Sequence, residues 1–307
     1  MTGLCLAAPD GGPPVLLQAG AGTGPVLAHL RTVAAGWPEA QAGPEAVAAG
    51  AILSAGTGYW RLDSPALEDG TALFDNALAA ANAAAGVLVS ALLRQRPDWL
   101  CLHAAAIRPA GGGKAWLFPG DHKAGKSLFA AVAAARGASV LADDRAVLDL
   151  SGAGPAGALI ALGIQPKLRL PLPAALPAPL AAFIAGRLGP QEGEMHFLAL
   201  PAGADGGMLL PFGARAPLAR IWFLDRAPDA AAPAVEGLRQ AEAAARLIPY
   251  IYAPGRDASG RIAAAARLAG AIPVQVLRYR DSWDAVAMLD APPPAGHRDG
   301  EWEGAAR

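Results

Sequence analysis

Eight consecutive residues carry the clearest chemical signal in this sequence. They match the pattern G-x-x-x-x-G-K-[ST] in full, with an apolar run before them and a helical pattern after them. In such a loop, backbone N–H groups turn inward around phosphate oxygens, and the N-terminus of the next helix adds its positive dipole. The lysine then reaches the β- and γ-phosphates, and the hydroxyl ligates Mg²⁺. The pattern predicts a nucleotide-binding loop made of Gly120, Asp121, His122, Lys123, Ala124, Gly125, Lys126 and Ser127.

Two adjacent carboxylates follow the loop, at a spacing that should bring the chain back to it. A helix of about ten residues carries the chain ~15 Å away, and the short apolar strand Ala138–Ala142 brings it back by ~16 Å. Asp143 and Asp144 are therefore expected beside the phosphates. Because neighbours on a strand point to opposite faces, one side chain should face the site and the other should support it. A carboxylate in that place holds Mg²⁺ or accepts the proton of an attacking hydroxyl.

A histidine upstream is predicted to reach the same place. The segments on either side of Pro109–Gly113 have the pattern of a hairpin, and reflection about Gly111 sets His103 opposite Pro119, just before the loop. A histidine there contacts the γ-phosphate or tunes an aspartate. The candidate catalytic residues are His103, Lys126, Asp143 and Asp144.

Each of these features also has a purely structural interpretation. The loop could be a glycine turn that caps a helix and leaves Lys126 in solvent. The two aspartates could only start a turn, as aspartate commonly does. His103 could be a hydrogen-bonded residue on a half-buried strand. The three features are predicted to meet at one point, which favours a functional role for the loop and the aspartates and leaves both interpretations of His103 open.

Cations beyond Lys126 are expected near the loop, because phosphoryl transfer spreads negative charge over the equatorial oxygens. Lys167 and Arg169 are the preferred nucleotide-binding candidates, since prolines on both sides stiffen their segment. Two further candidates near predicted strand ends are Arg226 and Arg278.

The elements that must position these residues have the pattern of an α/β fold. From Leu100 onward, short apolar strands broken by glycine alternate with helical patterns, and residues 171–181 are rich in proline and are predicted to be irregular. The predicted strands are Gly58–Asp63, Leu100–Ile107, Lys114–Pro119, Ala138–Ala142, Ile221–Leu224 and Val274–Tyr279. The predicted helices are Asp69–Arg94, Leu128–Ala135, Leu238–Leu247 and Ser259–Leu268.

The chain is expected to divide into three parts. Residues 1–99 form a small N-terminal α/β segment, which either recognises an acceptor or covers an edge of the catalytic sheet. Residues 100–290 form the ATP-binding catalytic domain. Residues 291–307 are predicted to be a disordered tail, because the sequence after Asp290 is proline-rich and then polar.

Composition excludes several classes of protein. With 25 Lys and Arg against 26 Asp and Glu, the 307-residue chain has a formal net charge of −1, which argues against a nucleic-acid or anionic-membrane partner. Its two cysteines form no zinc-binding spacing, and its start lacks the basic region of a signal peptide. The most membrane-like run, Ala77–Leu93, contains Asn82 and is better explained as a buried helix. The expected location is the cytoplasm.

The order of these motifs resembles the catalytic domain of HPr kinase/phosphorylase and the HPr-kinase-related proteins. The shared local pattern is Leu102-His103-Ala104-Ala105, then Pro119 to Ser127, then Asp143-Asp144. The short run from Ser127 to Asp143 is similar to that family and to the phosphoenolpyruvate carboxykinases. The resemblance covers residues 100–150 well and residues 160–290 loosely.

The resemblance implies a phosphate-loop domain with a mixed sheet that acts as a serine kinase. Gly120–Ser127 would bind ATP, Ser127 with Asp143 and Asp144 would hold Mg²⁺, and one aspartate would be the base. HPr kinases form hexamers, so a homo-oligomer is implied too. An acidic residue follows the Lys-Ser pair in HPr kinase proper, where this chain has Leu128, and related kinases phosphorylate a serine of ribosomally made peptides such as lasso precursors.

Two other functions fit the same residues. One is a regulatory module that binds ATP without transferring its phosphate. The other is a kinase of small molecules. The acceptor expected here is a small protein or peptide with a serine.

Overall fold

The computed structural model describes residues 2–6, 15–37, 49–152, 156–203 and 207–290. This part of the chain contains seven α-helices and eighteen strands, and the strands form three sheets. Two of these sheets contain both parallel and antiparallel pairs. The α/β class predicted from the sequence is therefore confirmed. The predicted tail 291–307 lies outside the described residues.

The N-terminal part is a five-stranded sheet with two helices on it. The sheet order is β1-β2-β3-β4-β5, and β2 and β3 are parallel while the other pairs are antiparallel. The elements are β1 Thr2–Leu6, β2 Val15–Ala19, α1 Gly24–Val33, β3 Ala49–Gly56, β4 Tyr59–Asp63, β5 Thr71–Phe74 and α2 Ala77–Arg94.

The predicted helix Asp69–Arg94 is wrong over its first two turns. Residues Thr71–Phe74 form β5, which pairs with β4 so that Phe74 lies opposite Trp60. The helix begins only after Asn76, whose side-chain oxygen accepts the backbone N–H groups of Leu78 and Ala79 at 2.8 and 3.1 Å. This cap satisfies two N–H groups that have no partner inside the helix, so the helix starts there.

The larger sheet is built from residues after Asp98. Its ten strands follow the order β17-β6-β10-β11-β15-β8-β7-β9, with β18 beside β15 and β16 beside β18. The elements in its first half are β6 Trp99–Leu102, β7 Ala104–Arg108, β8 Ala115–Pro119, α3 Lys126–Ala135, β9 Ser139–Ala142, β10 Ala146–Asp149 and β11 Ala158–Ile160. The second half contributes β15 Arg215–Arg226, β16 Ala234–Gly237, α5 Gln240–Leu247, β17 Ile251–Tyr252, α6 Ala258–Ala271, β18 Val274–Tyr279 and α7 Ser282–Asp290.

A three-stranded sheet of order β12-β14-β13 is inserted between these halves. Its elements are β12 Lys167–Arg169, α4 Ala178–Ala185, β13 Leu188–Glu192 and β14 Met195–Leu198. The prediction that residues 171–181 are irregular holds only as far as Pro177, because α4 starts immediately after that proline. Proline is compatible with the start of a helix because it has no N–H to leave unpaired.

The predicted strand Leu100–Ile107 is two strands that meet at His103. The first, β6, pairs with β10 and β17, whereas the second, β7, pairs with β8 and β9. Between them the backbone N–H of His103 donates to the carbonyl of Tyr250 at 2.8 Å. The continuous apolar run conceals this change of partners. Likewise, the predicted strand Ile221–Leu224 is the centre of the twelve-residue strand β15.

The larger sheet is covered on both faces. Alternate residues of β15 point to opposite sides, so that Phe223 packs toward α5 and α6 while Trp222 packs toward α3 and α7. This alternation follows from the two-residue period of a strand. Four of the seven buried residues of α3 are alanine.

The N-terminal sheet and the larger sheet share one core through α2. Leu88 and Leu92 of α2 are buried in the same cluster as Cys101 of β6 and Val147 of β10. Backbone contacts add to this junction, because Gly36 donates to the carbonyl of Gly163 at 2.9 Å and accepts from Phe212 at 2.9 Å. A Cβ on Gly36 would lie 2.7 Å from the Cα of Gly163, so the two backbones can meet only at glycine.

Helix α2 is also the single described helix that is long and apolar enough to cross a membrane. In this fold 61% of it is buried against other parts of the protein. That burial is the environment of a core helix.

Candidate active site

The glycine-rich loop connects β8 to α3, as the sequence predicts. Gly125 has a φ of +94° and immediately precedes Lys126, the first residue of α3. Lys123 also has a positive φ, of +69°, which is unusual for a residue other than glycine and marks a tightly wound loop. The first N–H groups of α3 have no partner within the helix and lie at the loop. This arrangement is the one in which helix N-termini bind phosphate.

Lys126 folds back over the loop. Its Nζ donates to the carbonyl oxygens of Gly120 at 2.7 Å and Asp121 at 3.1 Å, and its side chain is buried. Burial lowers the pKa of Lys126, and the nearby carboxylates, Asp144 and Asp143 foremost, oppose that shift. The interpretation that leaves Lys126 in solvent is therefore wrong.

Asp143 is a buried carboxylate with one free oxygen. Its Oδ2 accepts the backbone N–H of Lys167 at 2.9 Å, and its Oδ1 has no hydrogen-bond partner among the described residues. Burial raises the pKa of Asp143 to about 6, although the Lys167 N–H and the Ser127 hydroxyl favour the charged form. The free oxygen is a ready acceptor for a cation or a proton donor.

Asp144 forms a pair with His103. The His103 Nδ1 lies 3.0 Å from the Asp144 Oδ1, and both side chains are substantially exposed. This hydrogen bond is the main reason that the pKa of Asp144 lies below its usual value. Ala104, rather than His103, is opposite Pro119, so the prediction from the hairpin is one residue off.

Both aspartates line the same cavity, which contradicts the expectation that they face opposite ways. The strand β9 ends at Ala142, and the pair lies in a bend beyond it, where the alternation of a strand no longer applies. The cavity has a volume of about 710 Å³, and His103, Lys126 and Ser127 border it too. The structure thus brings together every candidate catalytic residue that the sequence singled out.

The predicted loop residues divide into two groups. His122, Lys123, Gly125, Lys126 and Ser127 border the cavity. Gly120, Asp121 and Ala124 do not, and they support the loop from behind through contacts with Lys126 and two tyrosines.

Three of the four candidate cations border the cavity. Lys167 lies 3.8 Å from Glu192 and over the ring of Phe197, and burial lowers its pKa. Arg169 lies 3.7 Å from Glu194. The third is Arg226, whereas Arg278 pairs with Asp229 away from the cavity.

Two tyrosines that sequence reasoning missed hold the loop in place. The Tyr250 hydroxyl donates to Asp121 Oδ1 at 2.6 Å, and the Tyr279 hydroxyl donates to the carbonyl of Ala124 at 2.6 Å. Burial raises the pKa of Tyr250 to about 12, with Asp121 adding to the shift, and burial raises the pKa of Tyr279 as well. For Tyr279 the available signal was a tyrosine at the end of a buried strand, since its hydroxyl must find a partner there. Tyr250 lies in a short 3-10 turn and had no such signal.

The residues present fit a magnesium ion that is bound together with a nucleotide. Among the described residues, no group of three or more His, Cys, Asp or Glu side chains is placed to hold a metal by itself. Mg²⁺ in nucleotide sites needs only one or two carboxylates, because phosphates and waters supply its other ligands. The free Oδ1 of Asp143, with the Ser127 hydroxyl on the same cavity, meets that need.

Comparison with known proteins does not assign the chain. No model of a protein family matches the sequence, and no curated protein is significantly similar to it. The function must therefore be inferred from the site itself.

Proposed function

We propose that this protein is a Mg²⁺-ATP-dependent serine kinase that acts on a small protein or peptide. The observation that supports this proposal is the convergence of Lys126, Asp143 and the Asp144–His103 pair on one cavity at the N-terminus of α3. These are the groups that phosphoryl transfer needs, since it depends on positioning and charge stabilisation.

The proposal includes a fold like that of HPr kinase and the phosphoenolpyruvate carboxykinases. In its favour, the loop follows the antiparallel hairpin β7–β8, and β9 returns beside β7 so that the aspartates come back to the loop. The sheet is mixed, because β8, β15 and β18 are parallel to one another whereas β7 is antiparallel to β8 and β9.

In the proposed complex, the loop residues Gly120–Ser127 bind the phosphates of ATP, and Lys126 leaves the loop carbonyls to reach the β- and γ-phosphates. Ser127 and Asp143 would hold Mg²⁺, which neutralises charge on the phosphates. The buried Asp143 gains most from such an ion, since its free oxygen has no other counterpart among the described residues.

Asp144 is the proposed base. Its exposed carboxylate can meet a serine hydroxyl that enters from solvent, whereas Asp143 is buried. His103 orients Asp144 through their hydrogen bond and adds positive charge when protonated. Lys167 and Arg169 extend the basic border of the cavity toward the β12 strand.

The proposal also includes a cellular location, the kinds of partner and an oligomeric state. ATP is abundant in the cytoplasm, so we place the protein there, without a membrane or nucleic-acid partner. A homo-oligomer is part of the proposal through the resemblance to HPr kinases.

A binding experiment with matched lysine variants tests the nucleotide site. Lys126→Ala should weaken Mg²⁺-ATP binding at least tenfold in calorimetry, because a charge-assisted contact with the phosphates is lost. Lys114→Ala is the control, since Lys114 is exposed in the β7–β8 turn. Equal affinity of the two variants would contradict the proposal.

The rival functions are separated by the fate of labelled γ-phosphate. Label on a serine-containing peptide supports the kinase proposed here. Label on a sugar or an amino acid would favour a small-molecule kinase, and binding without ADP formation would favour a regulatory module.

A further inference from the structure

Arg145 occupies a place in the cavity that the mechanism above does not use. It directly follows the two aspartates, it is exposed, and it borders the cavity beside Lys126 and Lys167. Lys167 and Arg169 each lie near a glutamate, but the Arg145 guanidinium has no hydrogen bond or ion pair with any residue in the described ranges. It is therefore a cation that is available to a ligand.

The guanidinium of Arg145 lies against helix α2 at Gly86. A Cβ on Gly86 would lie 2.4 Å from Nη1, 3.0 Å from Nη2 and 3.1 Å from Cζ of Arg145. Gly86 is in the middle of an eighteen-residue helix, where glycine is less favourable than alanine. The missing side chain thus creates the space in which the arginine lies.

We propose that Arg145 binds the phosphoryl group during its transfer, and that Gly86 is a positioning residue that aims Arg145 at it. The inference rests on the proposed kinase function and deepens it. It also gives the N-terminal part of the chain a direct role, because α2 supplies Gly86 and Asn82 to the border of the cavity.

The chemical step explains the need for this cation. As the bond from the γ-phosphorus to the ADP oxygen breaks, a bond from the serine oxygen forms, and the serine proton passes to Asp144. ADP leaves with the electron pair of the broken bond. Negative charge is then shared among the three equatorial oxygens, which a planar guanidinium can meet with two parallel N–H donors.

The test uses an inorganic probe that imitates the planar phosphoryl group. Fluorescent ADP is titrated into the full-length protein with Mg²⁺, in the presence and absence of aluminium fluoride. We expect fluoride to tighten ADP binding by the wild-type protein. Arg145→Ala should lose at least tenfold of that tightening, as for a charge-assisted hydrogen bond, while its affinity for ADP alone changes less than about twofold.

Gly86→Ala tests the positioning role. The added methyl displaces only the flexible end of Arg145, and alanine favours the helix, so the thermal unfolding temperature should not fall. The variant should nevertheless lose the fluoride effect, and it should add nothing to Arg145→Ala in the double variant. Arg278→Ala, an arginine away from the cavity, is the matched control and should behave as wild type.

Each other outcome has a distinct meaning. The inference is overturned if aluminium fluoride tightens ADP binding by Arg145→Ala as much as by the wild type. It is also overturned if the wild-type protein binds ADP but aluminium fluoride does not tighten that binding. Neither result contradicts the proposed nucleotide site. Loss in Arg145→Ala with full tightening in Gly86→Ala overturns the role of α2. Failure of the wild-type protein to bind ADP at all contradicts the proposed function itself.

Discussion

At the scale of single residues, the Asp143 carboxylate lies where burial opposes its charge. Burial raises its pKa to about 6 from a usual value of 3.8, so between about pH 4 and pH 6 the native protein keeps a proton that the unfolded chain has released. One oxygen of this carboxylate accepts the Lys167 N–H, but the other has no hydrogen-bond partner among the described residues. A bound cation would neutralise the buried charge, which is the reason we propose Asp143 as a magnesium ligand.

The first prediction concerns stability without ligand. The raised pKa means that the contribution of Asp143 to stability is present at low pH and is lost as the pH rises through about 6. Asp143→Asn should therefore stabilise the ligand-free protein at pH 8 by about 1–3 kcal/mol, with the gain shrinking below pH 5. Urea unfolding at both pH values measures it.

The control for this prediction is Asp98→Asn, which changes an exposed aspartate in the same way. It should leave the free energy of unfolding nearly unchanged at both pH values. If Asp143→Asn were destabilising at pH 8, the carboxylate would already be well compensated in the free protein.

Much of the site at this scale was predictable. The spacing Gly-x-x-x-x-Gly-Lys-Ser depends only on local geometry, so it placed Lys126 and Ser127 beside the start of the next helix. That helix begins at Lys126, two residues before the predicted Leu128. The roles of Tyr279 and Arg145 were not predictable in this way, because their partners Ala124 and Gly86 are distant in the chain. No local pattern encodes such contacts.

At the scale of elements, the loop is held from outside by the strand β18. The Tyr279 hydroxyl, at the end of β18, donates to the carbonyl of Ala124 and lies 3.2 Å from where a Cβ on Gly125 would be. The ring packs against Phe129 of α3. The strand thus fixes the loop and the first turns of its helix together.

The second prediction removes this single hydroxyl. Tyr279→Phe leaves the ring but also leaves the buried Ala124 carbonyl without its donor, which should cost about 1–3 kcal/mol in stability. We also expect ADP affinity to fall several-fold, because the loop is less well ordered before it binds. Thermal unfolding and fluorescent-ADP titration are the measurements.

Tyr252→Phe is the matched control, since the Tyr252 side chain is 47% exposed and lies outside the cavity. A loss of stability as large in this control would show that the effect is not specific to the loop.

At this scale the sequence could not predict which strands pair, because pairing partners can be distant in the chain. The run Leu100–Ile107 is apolar throughout, and only its pairing with β10 on one side and β9 on the other divides it at His103. That division is also what exposes the histidine to Asp144. The predicted start of helix α2 was too early because the sequence of Thr71–Phe74 is compatible with a helix. Only its pairing with β4 makes this segment a strand.

At the scale of the whole molecule, α2 packs against both sheets and gives them a shared hydrophobic core. Its apolar residues are buried with β6 and β10 of the larger sheet as well as with β2 and β3 of the smaller one. The composition indicated a chain long enough for two domains, but an alanine-rich helix does not reveal which sheet it packs against. The N-terminal part is therefore better described as structural support for the cavity as well as a candidate acceptor-binding unit.

The third prediction follows from this shared core. Leu88→Ala should destabilise the protein by about 2–5 kcal/mol, because Leu88 is fully buried between the sheets. Circular dichroism and tryptophan fluorescence should still report one coincident transition. Leu73→Ala is the control, since Leu73 is 63% exposed on β5.

Two separate transitions would contradict a shared core. So would a chain beginning at Asp98 that folds with the stability of the full protein, because it would lack α2 altogether.

The most direct measurement is the transfer of phosphate to serine. The protein is incubated with Mg²⁺ and γ-labelled ATP, together with a degenerate peptide library that has serine at its centre, and with a second library that has alanine there. We expect labelled phosphoserine in the first library alone, and none with Lys126→Ala. Tight ATP binding without any labelled serine would contradict this expectation.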